Sequence, residues 1–380
     1  MPTVVVFLLV LSVLVLVHEI GHFVAAKLFG IRVDEFALGL PFTPPLIKFR
    51  FKGTQYAIYP LLFGGFVRLY GEDSETQKDS DKSYWSRGKK QRLIVVSAGV
   101  VMNLVLALSG FVWLYGAVGV PRGTIERVTV TQVESGSPAS TAGFAVGDRI
   151  MAVEGKPIVS VEEFSKLMRS WVGLTVNVGI ERGEVDVVLF EGIVEGEKKQ
   201  LVLSVVPRVN PPDGQGPVGV AITTVPYLQN VKCQMANIQC QMDILKQGVR
   251  VTGVWVGRVF EGFRQIGKSL AAGQQPEGVA GPVGIYQLTG LVASEGFLPL
   301  VELVSVLSVN LAVFNVLPIP ALDGGRALFI WLEWMRKKRF NAEFEAKVNS
   351  WGMAALLALM ALISLQDVIR FGWFDKILGR

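Results

Sequence analysis

His18-Glu19-Ile20-Gly21-His22 follows the apolar run Val4 to Val17, precedes Phe23-Val24-Ala25-Ala26, and holds both histidines of the 380-residue chain. At 3.6 residues per turn, positions i and i+4 share one helical face, so two imidazoles there can grip one metal ion. Glu19 lies beside that metal, where a carboxylate can take a proton from bound water. No charge interrupts Val4 to Val17. A glutamate at such depth in an apolar segment is costly, and its presence points to function.

Working outward, the whole chain has a membrane composition. Hydrophobic residues make up 51% and charged residues 18%, with a mean hydropathy of +0.44; this is ordinary for a multi-span membrane protein and unusual for a soluble globule. Four stretches approach the length a bilayer requires: Thr3 to Phe29, Leu93 to Val120, Phe297 to Leu317, and roughly Val348 to Leu365. The first lacks a basic leader and a small-residue cleavage site, so it is expected to be retained as a span. The net charge of +5 is no sign of nucleic acid. The basic residues gather at span ends, with Arg87, Lys89, Lys90 and Arg92 before the second span and Arg336 to Arg339 after the third. The positive-inside rule puts both clusters in the cytoplasm. The N-terminus, residues 120–296 and the C-terminus then lie outside. Spans one and three run inward in parallel, and His18 lies about 22 Å deep, toward the cytoplasmic side.

A third ligand is expected from another span at similar depth. Asn315-Val316-Leu317-Pro318-Ile319-Pro320-Ala321-Leu322-Asp323-Gly324-Gly325 supplies one. Two prolines end the regular helix, and irregular backbone at membrane depth is tolerated where it lines a cavity or is buried in protein. Asp323 stands just past the break. Read alone, Asp323-Gly324-Gly325 is also an ordinary turn; beside HExxH, two histidines and a carboxylate leave a fourth zinc position for water.

HEIGH in the first span together with N-x-x-P-x-P-x-L-D-G-G in a later one resembles the site-2 protease family of intramembrane zinc metalloproteases, in its bacterial regulator-of-sigma-E protease type. The resemblance covers nearly the whole chain. It implies that His18, His22 and Asp323 hold zinc, that Glu19 is the catalytic base, and that Asn315 binds substrate backbone near the scissile bond. Residues 47–70 alternate apolar and polar positions between glycine turns, which suggests hairpin strands; the bland alternative is a cytoplasmic loop. Gly64-Gly65-Phe66-Val67-Arg68 resembles the family's membrane-associated β-hairpin, which implies that Gly64, Gly65 and Phe66 present an edge to substrate. The open backbone at Pro318 and Pro320 is a further candidate substrate contact.

Residues 122–208 carry frequent charges and alternating apolar positions, as in Ile125 to Val133 and Leu174 to Ile180, and Val161 to Ser170 reads as a helix. They resemble one PDZ domain, which implies an extended peptide or a C-terminus as ligand; a size filter over the active site is the alternative role. The family's better-known members carry two such domains, and this chain has room for one. Ile244 to Leu270 spreads five basic residues along an apolar segment, which suggests an amphipathic interfacial helix, a fifth span being the alternative. Cys233 and Cys240 are too far apart to bond within one straight helix, and their redox state is left open.

The expected fold is thus a polytopic α-helical membrane protein of about four transmembrane helices, with a membrane-associated β-hairpin and an inserted α+β PDZ domain. Its divisions are an N-terminal membrane core at 1–121, the PDZ domain at 122–208, a linker and interfacial segment at 209–296, and a C-terminal membrane core at 297–380. The expected activity is zinc-dependent endoproteolysis within the spans of single-span membrane proteins, such as an anti-sigma factor or signal-peptide remnants. The expected setting is the bilayer of the bacterial inner membrane, with the PDZ domain outside the cytoplasm and no nucleic-acid partner. A membrane zinc transporter would need polar ligands strung along a path through the spans, and the histidines sit in one cluster. A catalytically silent PDZ-bearing scaffold would have no use for Glu19.

Overall fold

The structure is a computed structural model describing residues 2–72, 81–183, 186–194, 196, 198–212, 214–232, 237–272, 281–338, 340 and 342–370. Two compact units emerge: residues 1–115 with 242–380, and residues 116–241. Among the described residues, four helices, all named below, are long and apolar enough to cross a membrane.

The first unit opens with α1 (Thr3–Leu28). Its 26 residues reach about 39 Å at 1.5 Å each, enough for a hydrocarbon core about 30 Å thick. Four strands follow: β1 (Val33–Leu40), β2 (Ile47–Phe51), β3 (Thr54–Ile58) and β4 (Leu61–Leu69). The sheet order is β2-β3-β1-β4. The 47–70 segment is therefore more than the hairpin expected from sequence. β2 and β3 do form one, turning at Lys52 and Gly53 with φ of 46° and 80°, as a two-residue turn matching strand twist requires. β4, however, pairs with β1, Ala37 opposite Phe66 and Leu38 opposite Gly65. β1 is central, and its buried Glu35 accepts hydrogen bonds from Gln55 Nε2 and Tyr59 Oη, each at 2.9 Å. The second membrane helix, α2 (Lys89–Val118), comes very close to α1. A Cβ on Gly21 would lie 2.3 Å from the Ala98 carbonyl oxygen, a distance only glycine permits.

The second unit is one mixed sheet with two short helices. In chain order they are β5 (Val120–Val133), α3 (Pro138–Ala142), β6 (Arg149–Val153), β7 (Lys156–Pro157), α4 (Val161–Ser170), β8 (Val176–Gly183), β9 (Val187–Leu189), β10 (Gly192–Val194), β11 (Lys198–Val205) and β12 (Val220–Val231). The strand order is β11-β8-β6-β5-β12-β10-β9, with β7 on β6. Val128, Ile150, Phe164, Met168, Val178 and Ile180 form its core. α4 begins at a reciprocal cap: Ser160 Oγ accepts from Glu163 N, and Glu163 carboxylate from Val159 N. The sheet runs past residue 208, because β12 pairs along the length of β5. Val220–Val231 is thus part of this unit's sheet and not a linker.

The chain then forms α5 (Ile238–Ala271), α6 (Pro282–Ser294), α7 (Phe297–Val316), α8 (Asp323–Arg336) and α9 (Ala342–Arg370). The four apolar helices are α1, α2, α7 and α9; the charges along α5 leave it outside that set. Because α5 begins at Ile238, the straight-helix spacing considered for the cysteines does not apply. Cys240 is disulfide-bonded, and Cys233 lies outside the described residues. Leu317 is extended and Ala321 has a φ of 77°, so the helical path is interrupted between α7 and α8. Gly324 and Gly325 let the start of α8 pack against this break, since a Cβ on them would lie 2.1 Å and 2.4 Å from the carbonyl oxygens of Leu317 and Ile319, respectively. The start of α2 and the last turn of α8 are tied by a fully buried Arg92–Glu333 ion pair and by Lys89 Nζ donating to the Glu333 carbonyl at 2.9 Å. Asp367 near the end of α9 accepts from the backbone amides of Gly281 and Gly284, each at 2.9 Å, and so caps α6.

Candidate metal centre

α1 presents His18 and His22 one turn apart, and the start of α8 brings Asp323 to them. His18 Nε2 and His22 Nε2 are 3.2 Å apart, and each is 3.2 Å from Asp323 Oδ2. These three are the ligand cluster found among the described residues. Atoms that share a tetrahedral zinc at about 2.0–2.1 Å stand about 3.3 Å from one another, so the triangle has the right size. Its electronics fit too. His22 Nδ1 lies 2.8 Å from the Val95 carbonyl oxygen. A carbonyl only accepts, so Nδ1 carries the proton and Nε2 offers a bare lone pair. Asp323 Oδ2 is buried and receives no hydrogen bond. Three lone-pair donors converging on one point without a proton donor are a cation site.

The helix behind the triangle leaves room for the ion. A Cβ on Gly99 of α2 would lie 2.3 Å from His22 Nε2 and 2.8 Å from His18 Nε2, so a glycine there keeps open the space beside the ligands. One turn further along α2, Asn103 Nδ2 is 3.2 Å from His18 Nδ1. Gly99, Asn103 and the Val95 carbonyl went unnoticed in the sequence. Their i, i+4 spacing on an apolar helix was the one available signal, and nothing local links α2 to the histidines.

The triangle opens into a cavity of about 360 Å³. Glu19, Gly64, Gly65, Phe66 and Asn315 line it with the three ligands, so two turns of α1, β4, the end of α7 and the start of α8 converge there. β4 lies against α1 so closely that a Cβ on Gly65 would come 2.7 Å from Val15 Cγ1 and 3.2 Å from Glu19 Cγ. Pro318 and Pro320 are not in the lining. They form the break that delivers Asp323, and Pro320 packs instead against Gly352 of α9. A polar end of the same cavity holds Glu72, Tyr84 and Arg326, with Arg326 ion-paired to Glu72. These groups make the cavity hospitable to water.

Comparisons with known proteins agree with this chemistry. The family model for Peptidase family M50 matches residues 6–359. A protein of Clostridium perfringens named "Putative zinc metalloprotease" is 34% identical over 366 residues, covering 95% of this chain and 97% of the relative. The "Membrane metalloprotease ARASP, chloroplastic" of Arabidopsis thaliana is 32% identical over 373 residues, covering 97% of this chain and 79% of the relative. Among solved structures, the PDZ domain of the SdrC-like protein of Listeria monocytogenes aligns with 25% of this chain and 86% of its own length, at 22% identity and a TM-score of 0.19. With a matching model over nearly its whole length and full-length relatives named for zinc proteolysis, the chain belongs to peptidase family M50, the site-2 protease family, and is a membrane zinc metalloprotease.

Proposed function

We propose that this enzyme is an intramembrane endopeptidase that cuts the spans of single-span membrane proteins. The observation that carries the reading is the placement of the ligand triangle, Glu19 and Asn315 in one cavity whose walls include the apolar helices α1, α2 and α7. His18, His22 and Asp323 hold the zinc, which when bound supplies Lewis acidity to the scissile carbonyl and to the attacking water. Glu19 accepts the water proton and returns it to the departing amine. Asn315 donates its side-chain amide to the substrate backbone beside the cut. β4 supports an extended substrate, because a peptide bond inside a helix is sheltered and must unwind before attack. The polar end at Glu72 and Arg326 keeps water in reach.

The charge clusters at Arg87–Arg92 and Arg336–Arg339 favour an orientation with the metal toward the cytoplasm of a bacterial cell and residues 116–241 on the outer side of the inner membrane. In that unit we read a PDZ-type domain that binds an extended peptide or C-terminus, or screens substrates by size, and leaves the chemistry to the membrane unit. The test is quantitative proteomics of cells carrying Glu19→Gln. Single-span proteins or their membrane remnants are expected to accumulate, with wild-type cells holding the fragments cut inside the span. Accumulation confined to soluble proteins would overturn the reading.

A further inference from the structure

Asn103 sits on α2 with no exposed surface, one turn beyond Gly99 and on the same helical face. Its Nδ2 lies 3.2 Å from His18 Nδ1, and its Oδ1 is buried without a partner. A histidine that binds metal through Nε2 carries its proton on Nδ1. In that state two donors face each other across 3.2 Å, while a buried acceptor one bond away goes unused, which is unfavourable on both counts. A half-turn of the side-chain amide exchanges the two atoms and turns the donor–donor contact into a hydrogen bond from His18 Nδ1–H to Oδ1.

We propose that in the zinc-loaded enzyme Asn103 is a positioning residue, its Oδ1 accepting a hydrogen bond from His18 Nδ1–H. This bond fixes the tautomer that bares Nε2 and sets the plane of the ring. It does for His18 what the Val95 carbonyl at 2.8 Å does for His22. Both acceptors belong to α2, so one helix orients both imidazoles of α1. Asn103 is itself held. Its backbone carbonyl accepts from Ser308 Oγ of α7 at 2.8 Å, and α7 is the helix that leads through the proline break to Asp323. The two ligand-bearing segments, α1 and α8, are thereby linked through one residue of α2 that binds neither metal nor substrate.

The experiment uses the full-length chain in lipid nanodiscs. Zinc affinity is measured by competition with a chromophoric chelator, for wild type, Asn103→Ala and Asn103→Asp. Loss of such an outer partner lowers metal affinity roughly 10- to 100-fold, and that loss is expected for Asn103→Ala at unchanged helical content. Asn103→Asp keeps an acceptor at the same place and is expected to restore most of the affinity. Unchanged affinity in Asn103→Ala, or Asn103→Asp as weak as Asn103→Ala, overturns the proposal. A second measurement needs no variant. The chain has two histidines, so nitrogen-15 histidine spectra of the zinc-loaded wild type contain two imidazoles. Both are expected with Nδ1 protonated and Nε2 on the metal. A His18 bound through Nδ1 overturns the proposal. A His18 with neither nitrogen on metal removes the ligand assignment on which it rests, an outcome distinct from unchanged affinity in Asn103→Ala.

Discussion

Replacing Gly99 by alanine should weaken zinc binding while leaving the fold in place. The added Cβ would lie 2.3 Å from His22 Nε2, 2.6 Å from His18 Cε1 and 2.8 Å from His18 Nε2, against 3.4 Å or more for an ordinary contact. Relieving the worst of these moves a ligand atom by about 1.1 Å, several times the roughly 0.2 Å tolerance of a metal–ligand distance. Neither escape route is cheap. Rotating the rings breaks the His22–Val95 hydrogen bond at 2.8 Å, and separating α1 from α2 opens the Gly21–Ala98 contact. Overpacking of this kind costs about 1–3 kcal/mol. If that cost falls wholly on the bound state, zinc affinity drops roughly five- to 150-fold at 1.4 kcal/mol per factor of ten. The assay is chelator competition on purified protein, with circular dichroism to confirm the helices. Gly116 on the same helix is the control. Nothing lies within 4 Å of its would-be Cβ, so Gly116→Ala should keep wild-type affinity and favour the helix by up to about 1 kcal/mol. Wild-type zinc affinity in Gly99→Ala would refute the placement of the metal between α1 and α2.

Asp323→Ala should lose zinc, whereas Glu19→Gln should keep it and lose cleavage, as metal analysis beside a peptidase assay would show; stoichiometric zinc in Asp323→Ala would remove the third ligand. Glu333→Ala strands Arg92 in a fully buried place and should cost about 3–5 kcal/mol, read as a fall in the thermal midpoint; an unchanged midpoint would show the pair to be without consequence. In the 116–241 unit, burial alone would raise the Asp186 carboxyl, but the Gly196 amide, Lys198 and Arg149 outweigh it and hold it below the usual carboxylate range. Its folded value is depressed, so its stabilising contribution is complete above about pH 4 and is lost as the pH falls through the folded value. Asp186→Asn should flatten the acid limb of the stability–pH curve, and an unchanged limb would contradict this.

The parts of the molecule legible in sequence were those whose chemistry is local. Two histidines four apart, a glutamate between them and an aspartate after a double proline declare themselves by residue type and spacing. Long apolar runs declare the four helices. What was not legible depends on partners far along the chain. Gly99 and Asn103 read as ordinary residues of an apolar helix until α2 is packed on α1. β1 was missed because Asp34 and Glu35 break its apolar alternation; Glu35 is buried only because Gln55 and Tyr59, some twenty residues away, satisfy it. The segment from residue 209 was expected to be linker, yet Val220–Val231 pairs with β5, whose partner residues lie far earlier in the chain. Gly65 was expected to present an edge to substrate, and the structure adds a steric reason for glycine there, since a Cβ would lie 2.7 Å from Val15 Cγ1 and 3.2 Å from Glu19 Cγ.

The central claim is that one zinc, served by Glu19, cuts a peptide bond within a membrane span. The most direct measurement incorporates a single-span reporter into proteoliposomes with either wild type or Glu19→Gln, each loaded with one zinc per chain, and maps the products by mass spectrometry. Wild type should yield two fragments whose new ends fall inside the span, and Glu19→Gln should yield none at equal zinc content. Equal cleavage by both proteins, or new ends found only outside the span, would contradict it.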